Sequence, residues 1–186
     1  MIPPAADTLY GERLQLRRFV PADQEPFARL NADPQVMRYF PAALSATESR
    51  AFQQAIDTHF AERGFGFWVV SPRSSTELLG LVGLSVVTFA APFTPCVEIG
   101  WRLDRAHWGQ GLARESALLC LAFAFEQLEL DEVVAFTTVT NERSERLMQR
   151  LGMQTAGDFL HPALTGHPLQ RHLLYRMQRK LWRAGS

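Results

Sequence analysis

The spacing of apolar and polar residues divides the chain into eleven predicted elements. Alternating or short continuous apolar runs predict strands, whereas apolar residues three and four positions apart predict helices. Glycine and proline separate most of these segments. The predicted strands are 12–19, 67–70, 78–88, 96–103, 132–138, 153–159 and 170–178, and the predicted helices are 24–31, 47–63, 111–128 and 141–151.

The element order, β-α-α-β-β-β-α-β-α-β-β, predicts an α/β fold in which helices cover one mixed sheet. Strand 96–103, helix 111–128 and strand 132–138 form a unit of the kind that makes two strands parallel neighbours. The centre of that helix, 117–125, is apolar on all sides, so we expect it to lie buried between layers. Since no repeat or linker interrupts the pattern, we expect one domain over residues 1–186.

Composition and charge exclude several classes of protein. Nineteen Lys and Arg balance nineteen Asp and Glu, so the chain has no formal net charge. A duplex-binding module normally carries a basic excess, so nucleic acid is not an expected partner. Hydrophobic residues make up 47% of the chain, which is typical of a globular protein and not of a disordered one.

Cysteine, histidine and hydropathy patterns narrow the choice further. Cys96 and Cys120 are too few for a disulfide framework or a Cys-rich zinc site, and the five histidines lack metal-ligand spacing, so we expect no metal. Residues 78–97 are uncharged, but glycines and prolines interrupt them, so we expect a strand and a turn and no membrane span. The N-terminus has no secretory pattern, and we expect a cytoplasmic protein.

Residues 98–119 carry the strongest chemical signal in the chain. A strand ends, a loop with Gly109 and Gly111 follows, and a helix begins at once. Converging backbone N–H groups and a helix N-terminus bind phosphate, although an ordinary glycine-containing connection is the alternative. Arg114 stands where a dinucleotide fingerprint needs a third glycine, and a Walker A loop needs Lys after its glycine, so neither is expected.

The loop residues 107–113, His-Trp-Gly-Gln-Gly-Leu-Ala, resemble the acetyl-CoA pyrophosphate loop of the GNAT superfamily of N-acetyltransferases. The family pattern is Arg/Gln-x-x-Gly-x-Gly/Ala. Gly111 and Ala113 match its last two fixed positions, and Trp108 departs from the first, as in the branch of ribosomal-protein N-terminal acetyltransferases. The resemblance implies that cofactor binding involves His107, Trp108, Gly109, Gln110, Gly111, Leu112 and Ala113, mainly through backbone amides.

Two further segments resemble the same branch, in the family order. Residues 12–17 are similar to its first strand, and residues 141–144 with 151–153 are similar to its second cofactor motif. The resemblance covers about residues 9–178. It implies an α+β fold with a mostly antiparallel sheet of six to seven strands, about four flanking helices and a splayed central strand pair.

The resemblance also implies how the central strands bind acetyl-CoA. Strand 96–103 would carry a bulge at Gly100, although a glycine inside a strand also marks close approach of another group. Strand 132–138 would splay away and admit the thioester. Backbone groups of strand 96–103 would then form hydrogen bonds with the pantetheine and the acetyl carbonyl, at Ile99, Gly100, Trp101 and Arg102.

Glu98 and Ser144 are the candidate catalytic residues. Glu98 lies in an apolar strand, where burial would raise its pKa toward that of a useful base, and a structural carboxylate is the alternative. Ser144 resembles the residue that protonates the leaving thiolate in the N-terminal acetyltransferase branch. Met148 occupies the position where the family often has an acidic Tyr. Asn141 resembles the pantetheine-binding residue; helix capping is the alternative for Asn141 and Ser144.

Other aromatic and basic residues receive no role from the sequence. Aromatic residues at strand and loop positions are usually core, and arginines at helical spacing usually form a solvated face. The alternative to a solvated face is that one of these arginines binds the adenosine phosphate of the cofactor. The residues concerned are Phe40, Phe65, Phe67, Trp101 and Trp108, and Arg143, Arg146 and Arg150.

The expected function is acetyl-CoA-dependent transfer of an acetyl group to a primary amine. By resemblance, the favoured acceptor is the N-terminal α-amine of a protein. The alternatives are a small-molecule amine such as an antibiotic or polyamine, and a non-catalytic acyl-CoA-binding module. A Rossmann-type redox enzyme is the outside alternative. We expect neither a membrane nor a nucleic acid as partner, and a homodimer stays open.

Overall fold

The computed structural model describes residues 7–185, with side chains described up to Trp182. The expectation about a secretory signal rests partly on residues 1–6, which lie outside this range. The helices are α1 Gln24–Ala32, α2 Ala46–Arg63, α3 Leu112–Ala122, α4 Glu142–Arg150 and α5 Arg179–Gly185. The strands are β1 Thr8–Tyr10, β2 Leu14–Arg17, β3 Phe67–Pro72, β4 Gly80–Val87, β5 Cys96–Leu103, β6 Glu132–Thr138, β7 Gln154–Leu160 and β8 Arg171–Gln178.

The strands form one eight-stranded sheet in the order β1-β2-β3-β4-β5-β6-β8-β7. Every neighbouring pair is antiparallel except β5 and β6, which are parallel and are joined at a single register pair, Glu98 and Val134. The two central strands therefore separate beyond Glu98. This confirms the expected fold class, the mostly antiparallel sheet and the splayed pair.

The sheet differs from expectation at its first edge and in its central strand. The predicted strand 12–19 is shorter, and β1 forms before it, with Leu9 opposite Leu16. The predicted bulge at Gly100 is wrong, because β5 pairs with β4 in unbroken register over all eight residues. Gly100 instead marks close approach of another group, since a Cβ there would lie 3.1 Å from the Phe67 ring, a tight contact.

The core forms where α2 and α3 meet the sheet. Trp68 of β3 is fully buried, and its ring lies edge-on to Phe60 of α2 at 5.1 Å and to Phe123, just after α3, at 5.4 Å. Within 117–125 no residue is exposed, and Cys120 is fully buried, as expected. Apolar burial of this kind supplies the main stabilisation of the sheet–helix layers.

Local capping signals place α2 as expected. Glu48 N–H donates to Ser45 Oγ at 3.2 Å, and Ser45 N–H donates to a Glu48 carboxylate oxygen at 2.8 Å. The helix ends at Gly64, whose φ of 78° is the left-handed conformation that glycine adopts most readily. Within residues 7–185 no helix is both long and apolar enough to cross a membrane.

A buried ion pair joins β2 to the turn before α1. Arg17 donates to both carboxylate oxygens of Asp23, at 2.7 and 2.8 Å, and both residues are buried. Asp23 also accepts from the Val20 N–H at 2.8 Å, and Arg17 donates to Ser71 and Thr76. The pair therefore fixes the start of α1 against the sheet, and the connection that follows α1 forms one wall of the cavity described below.

Removing one partner of this pair should be strongly destabilising. In an Asp23→Ala variant the Arg17 charge stays buried without a counter-charge, so the free energy of unfolding should fall by about 3 kcal/mol or more. Asp57→Ala is the matched control, because the Asp57–Arg18 pair is longer, at 3.4 Å, and more exposed, and should cost less than about 1 kcal/mol. Urea unfolding of the two variants measures both values, and equal losses would contradict the argument.

Candidate active site

A cavity of about 980 Å³ opens where β5 and β6 separate. Its walls are the α1–α2 connection, β5, the loop after β5, the start of α3, β6 and α4, with residues from the segment after β7. Every candidate site residue expected from the sequence lines this cavity except Gln110. Segments separated by more than a hundred residues in the chain thus meet at one place.

The loop before α3 forms one end of the cavity. Gly109 and Gly111 have φ values of 75° and 79°, and a Cβ on Gly109 would meet no atom within 4 Å. These positions therefore need glycine for backbone conformation and not for space. Helix α3 begins at Leu112, and no side chain within residues 7–182 caps its N-terminus. Its first N–H groups are available to an anion, and the helix dipole adds partial positive charge.

Hydrogen bonds hold this loop in place from both sides. Trp108 Nε1 donates to the Leu103 carbonyl at 2.9 Å, which ties the loop to the end of β5. Glu115, in the first turn of α3, accepts from the backbone N–H and the Nε of Arg13, both at 2.8 Å. Burial alone would raise the pKa of Glu115, but the hydrogen bonds from Arg13 outweigh it and lower the pKa. Glu115 thus stays ionised and holds the start of α3 to Arg13.

Gln110 braces the loop from outside the cavity. Its carbonyl accepts from an Arg13 guanidinium nitrogen at 3.1 Å, and its side-chain amide donates to the Ala106 carbonyl at 3.2 Å. The side chain is therefore used within the protein. The geometry gives the Gln110 side chain a supporting role, and a cofactor contact through its backbone stays a prediction.

Basic side chains concentrate at this end of the cavity. Arg143 of α4 lies over the Trp108 ring, with its guanidinium carbon 4.5 Å from the ring centroid. Arg146, Arg150 and Arg114 also line the cavity. Arg143, Arg146 and Arg150 are exposed, as expected of a solvated face, and Arg146 pairs with Glu142. They also bring positive charge to this end of the cavity, although the chain as a whole is neutral.

Glu98 lies at the point where β5 and β6 diverge. Its side chain lines the cavity and keeps partial exposure there, and within residues 7–182 it takes part in no hydrogen bond or ion pair. Burial raises the pKa of Glu98 from its ordinary 4.5 to about 8. A carboxyl group that ionises near neutral pH, with no structural partner, has the properties of a general base.

The second cofactor motif forms the start of α4. Asn141 caps this helix, its Oδ1 accepting the Ser144 N–H at 3.3 Å, while its Nδ2 donates to Thr137 Oγ1 at 2.9 Å. Ser144 lines the cavity, and its hydroxyl makes no hydrogen bond within the described part of the chain. Met148 is fully buried in the core, so that position offers no acid to the site.

Sequence reasoning assigned no individual residue to the wall opposite the loop. Phe40, Phe67, Trp101 and Trp108 line the cavity, whereas Phe65 lies in the core. The further lining residues come from the α1–α2 connection, from strands that are distant in the chain and from the segment after β7. They include Gln35, Val36, Tyr39, Pro41, Ser85, Phe136, His161, Ala163, Leu164 and His172.

Two histidines and several phenylalanines cluster near the N-terminal end of β5, where Glu98 lies. The His161 and His172 ring centroids are 5.2 Å apart, and Phe136 lies 6.0 Å from each. Burial lowers the pKa of both histidines, and the charge of the nearby His172 lowers the pKa of His161 further. No spacing in the sequence indicates this cluster, because sheet order alone brings the three residues together.

The comparison with protein families identifies the family. The model of the acetyltransferase (GNAT) domain matches residues 13–154, about three quarters of the chain. The chain belongs to the GNAT family of acetyltransferases. Members of this family use acetyl-CoA, and the loop, the splayed strands and the cavity are where the family resemblance placed the cofactor. The expected family and enzyme class are confirmed.

Individual relatives agree with this assignment. The FsC-acetyl coenzyme A-N(2)-transacetylase of Aspergillus fumigatus is 29% identical over 195 residues, covering 96% of this chain and 79% of that protein. A GNAT-family acetyltransferase structure from Bacillus anthracis superposes with a TM-score of 0.78 at 22% identity, covering 93% of this chain and 99% of that one.

A ribosomal-protein-S5-alanine acetyltransferase structure from Vibrio fischeri has the same fold. Its TM-score is 0.73 at 18% identity, covering 94% of this chain and 98% of that one. At this identity the likeness extends to the fold and not to the acceptor. Within the described residues there is no group of three or more His, Cys, Asp or Glu side chains that could hold a metal ion.

The positive φ of Gly111 should matter for cofactor binding. In a Gly111→Ala variant the left-handed backbone becomes strained by about 1 kcal/mol or more, and the loop amides shift out of alignment. Acetyl-CoA binding, measured by isothermal titration calorimetry, should weaken by roughly tenfold.

Gly157→Ala is the matched control for this variant. Gly157 also has a positive φ, 93°, and open space around it, but it lies on the edge strand β7, outside the cavity. It should lose similar stability and keep wild-type affinity for acetyl-CoA. Equal affinity in both variants would show that the Gly111 conformation is not needed for binding.

Proposed function

We propose that the protein transfers the acetyl group of acetyl-CoA directly to the nitrogen of a primary amine, with Glu98 as general base. The observation that carries the proposal is one continuous cavity. It joins an anion-binding helix N-terminus at one end to an unpaired carboxyl group of raised pKa at the other. The diphosphate would lie at Gly109–Ala113, and the thioester would lie in the opening between β5 and β6.

Each step then has a group on this chain. Glu98 removes a proton from the ammonium form of the acceptor, because an ammonium nitrogen has no lone pair for attack. The neutral nitrogen forms a bond to the thioester carbonyl carbon and the C–S bond breaks. Ser144 is placed to give its proton to the departing thiolate, and the second proton lost by the nitrogen restores the Ser144 hydroxyl. Backbone groups of β5 beyond Glu98 do not pair with β6. An N–H among them would stabilise the tetrahedral oxyanion.

For the acceptor we propose the N-terminal α-amine of a protein. The Trp-Gly-x-Gly-x-Ala loop and the unpaired Ser144 hydroxyl in the cavity support this choice. A small-molecule amine is the second candidate, because the relative from Aspergillus fumigatus is named as an N(2)-transacetylase. A thiol-release assay with acetyl-CoA against N-terminal peptides and small amines distinguishes the two. If the wild type binds acetyl-CoA but releases no thiol with any acceptor, it is a non-catalytic binding module.

The pH dependence of turnover should report the ionisation of Glu98. Below about pH 8 the carboxyl is largely protonated and cannot accept a proton, so kcat/KM should rise as the pH increases through about 8. A Glu98→Gln variant should lose this limb, and its kcat should fall by roughly 10²–10⁴-fold with little change in acetyl-CoA binding.

The control for Glu98 is a carboxylate on the neighbouring strand. Glu132 of β6 pairs with Arg176 at 2.7 Å and does not line the cavity, so Glu132→Gln should keep both the rate and the pH profile. A limb near pH 8 that persists in Glu98→Gln would assign the ionisation to the acceptor amine and contradict the role of Glu98.

Removing the Ser144 hydroxyl should slow the departure of the thiolate. Ser144→Ala keeps the helix cap, because the cap uses the Ser144 backbone N–H. We expect kcat to fall by roughly tenfold or more with KM for acetyl-CoA nearly unchanged. Stopped-flow or steady-state thiol detection measures both constants. A rise in KM at constant kcat would instead indicate a binding role.

A further inference from the structure

Arg102 of β5 is a cavity-lining cation without an anionic partner. One guanidinium nitrogen donates to Asn31 Oδ1, and the guanidinium carbon lies 4.1 Å from the Phe40 ring centroid and 5.5 Å from that of Phe52. The Nε is buried and has no hydrogen-bond partner. Within residues 7–182, no carboxylate lies within 4.0 Å of Arg102.

Such an arrangement is costly unless a ligand completes it. Burial lowers the pKa of Arg102 to about 10, which shows that the site disfavours its positive charge. Buried charges are normally paired, and this chain follows that rule at Arg17, which contacts both carboxylate oxygens of Asp23. Arg102 differs from Arg17 in facing a cavity.

The surrounding helices hold the guanidinium in one orientation. Asn31 of α1 is fully buried, and its Nδ2 donates to Ser49 Oγ of α2 at 3.2 Å, so the amide that accepts from Arg102 is itself fixed. The Phe40 and Phe52 rings confine the planar group from the side. A fixed guanidinium is well suited to a carboxylate, which it binds through parallel hydrogen bonds.

The position of Arg102 indicates which substrate supplies the anion. The phosphates of acetyl-CoA would be held beyond the end of β5, by the loop and by the arginines of α3 and α4, and the pantetheine that passes β5 carries no charge. Strand alternation places Arg102 on the same face of β5 as Glu98. An anion at Arg102 therefore belongs to the molecule whose amine meets Glu98.

We propose that Arg102 binds a carboxylate of the acceptor, so that the acceptor is an amine that also carries an acidic group. This inference rests on the proposed function. The Cα atoms of Glu98 and Arg102 lie four residues apart, roughly 13 Å along the strand, and both side chains extend into the cavity. A peptide with an acidic residue close behind its N-terminus, or an amino-acid-like small molecule, has the required chemistry.

The test uses acceptor pairs that differ only in charge. The first comparison uses two short peptides with a free N-terminus, one with Glu and the other with Gln at positions two and three. The second comparison uses free amino acids and their carboxamides. Wild type should prefer the acid members by about tenfold to a hundredfold in kcat/KM. The preference should collapse in Arg102→Gln and be partly retained in Arg102→Lys. Whichever pair shows the effect identifies the source of the carboxylate.

Arg29→Gln is the control, because Arg29 lies on α1 near Asn31 but is exposed, pairs with Glu25 and does not line the cavity. It should keep the acid preference. Acetyl-CoA affinity should be the same in all variants. An Arg102→Gln variant that loses acetyl-CoA binding and keeps its acid preference would assign Arg102 to the cofactor and overturn the proposal.

Calorimetric binding of the same pairs to the CoA-loaded protein separates this inference from the proposed function. Tighter binding of the acids, lost in Arg102→Gln, supports the Arg102 site even if no thiol is released, in which case only the proposed function fails. Equal binding of acid and amide members, or no binding of any member, contradicts the Arg102 site whatever the activity.

Discussion

The candidate site depends on one contact, the single parallel pairing between β5 and β6 at Glu98 and Val134. A parallel pair that continued would satisfy the backbone groups of both strands and close the sheet. Because pairing stops, backbone polar groups of β5 face a cavity, and the neighbouring helix N-terminus opens into the same space. Continuous antiparallel pairing of β5 with β4 keeps the separated strand straight. Antiparallel pairing of β6 with β8 over seven residues holds the other side of the opening.

The charges of the protein divide into two groups by whether they have partners. Arg17 with Asp23, and Arg13 with Glu115, are paired and hold β2 against α1 and α3. Glu98 and Arg102 line the cavity without a counter-charge, and burial moves the pKa of each toward its neutral form. The paired groups hold structure in place, whereas the unpaired ones keep their capacity to interact with a substrate. Net neutrality of the chain conceals this local contrast.

Prediction from the sequence succeeded where the determining interactions are local. The α2 capping box, the glycine loop and the apolar centre of α3 each depend on residues within a few positions of one another. It missed β1 and α5, since a three-residue strand and a short terminal helix carry little periodicity. It assigned a bulge to Gly100, although the Phe67 ring of β3 explains that glycine.

The sequence by itself determined the family, the order of the longer elements and the glycine loop before α3, because these follow from short-range spacing and motif resemblance. Only the tertiary structure decided that Gln110 braces the loop, that the α4 arginines face the cavity, and that Phe136, His161 and His172 form one cluster. It also decided that Arg102 lacks an anion. The physical reason is that a partner, or its absence, depends on which distant strands and helices meet, and sheet order sets this rather than residue spacing.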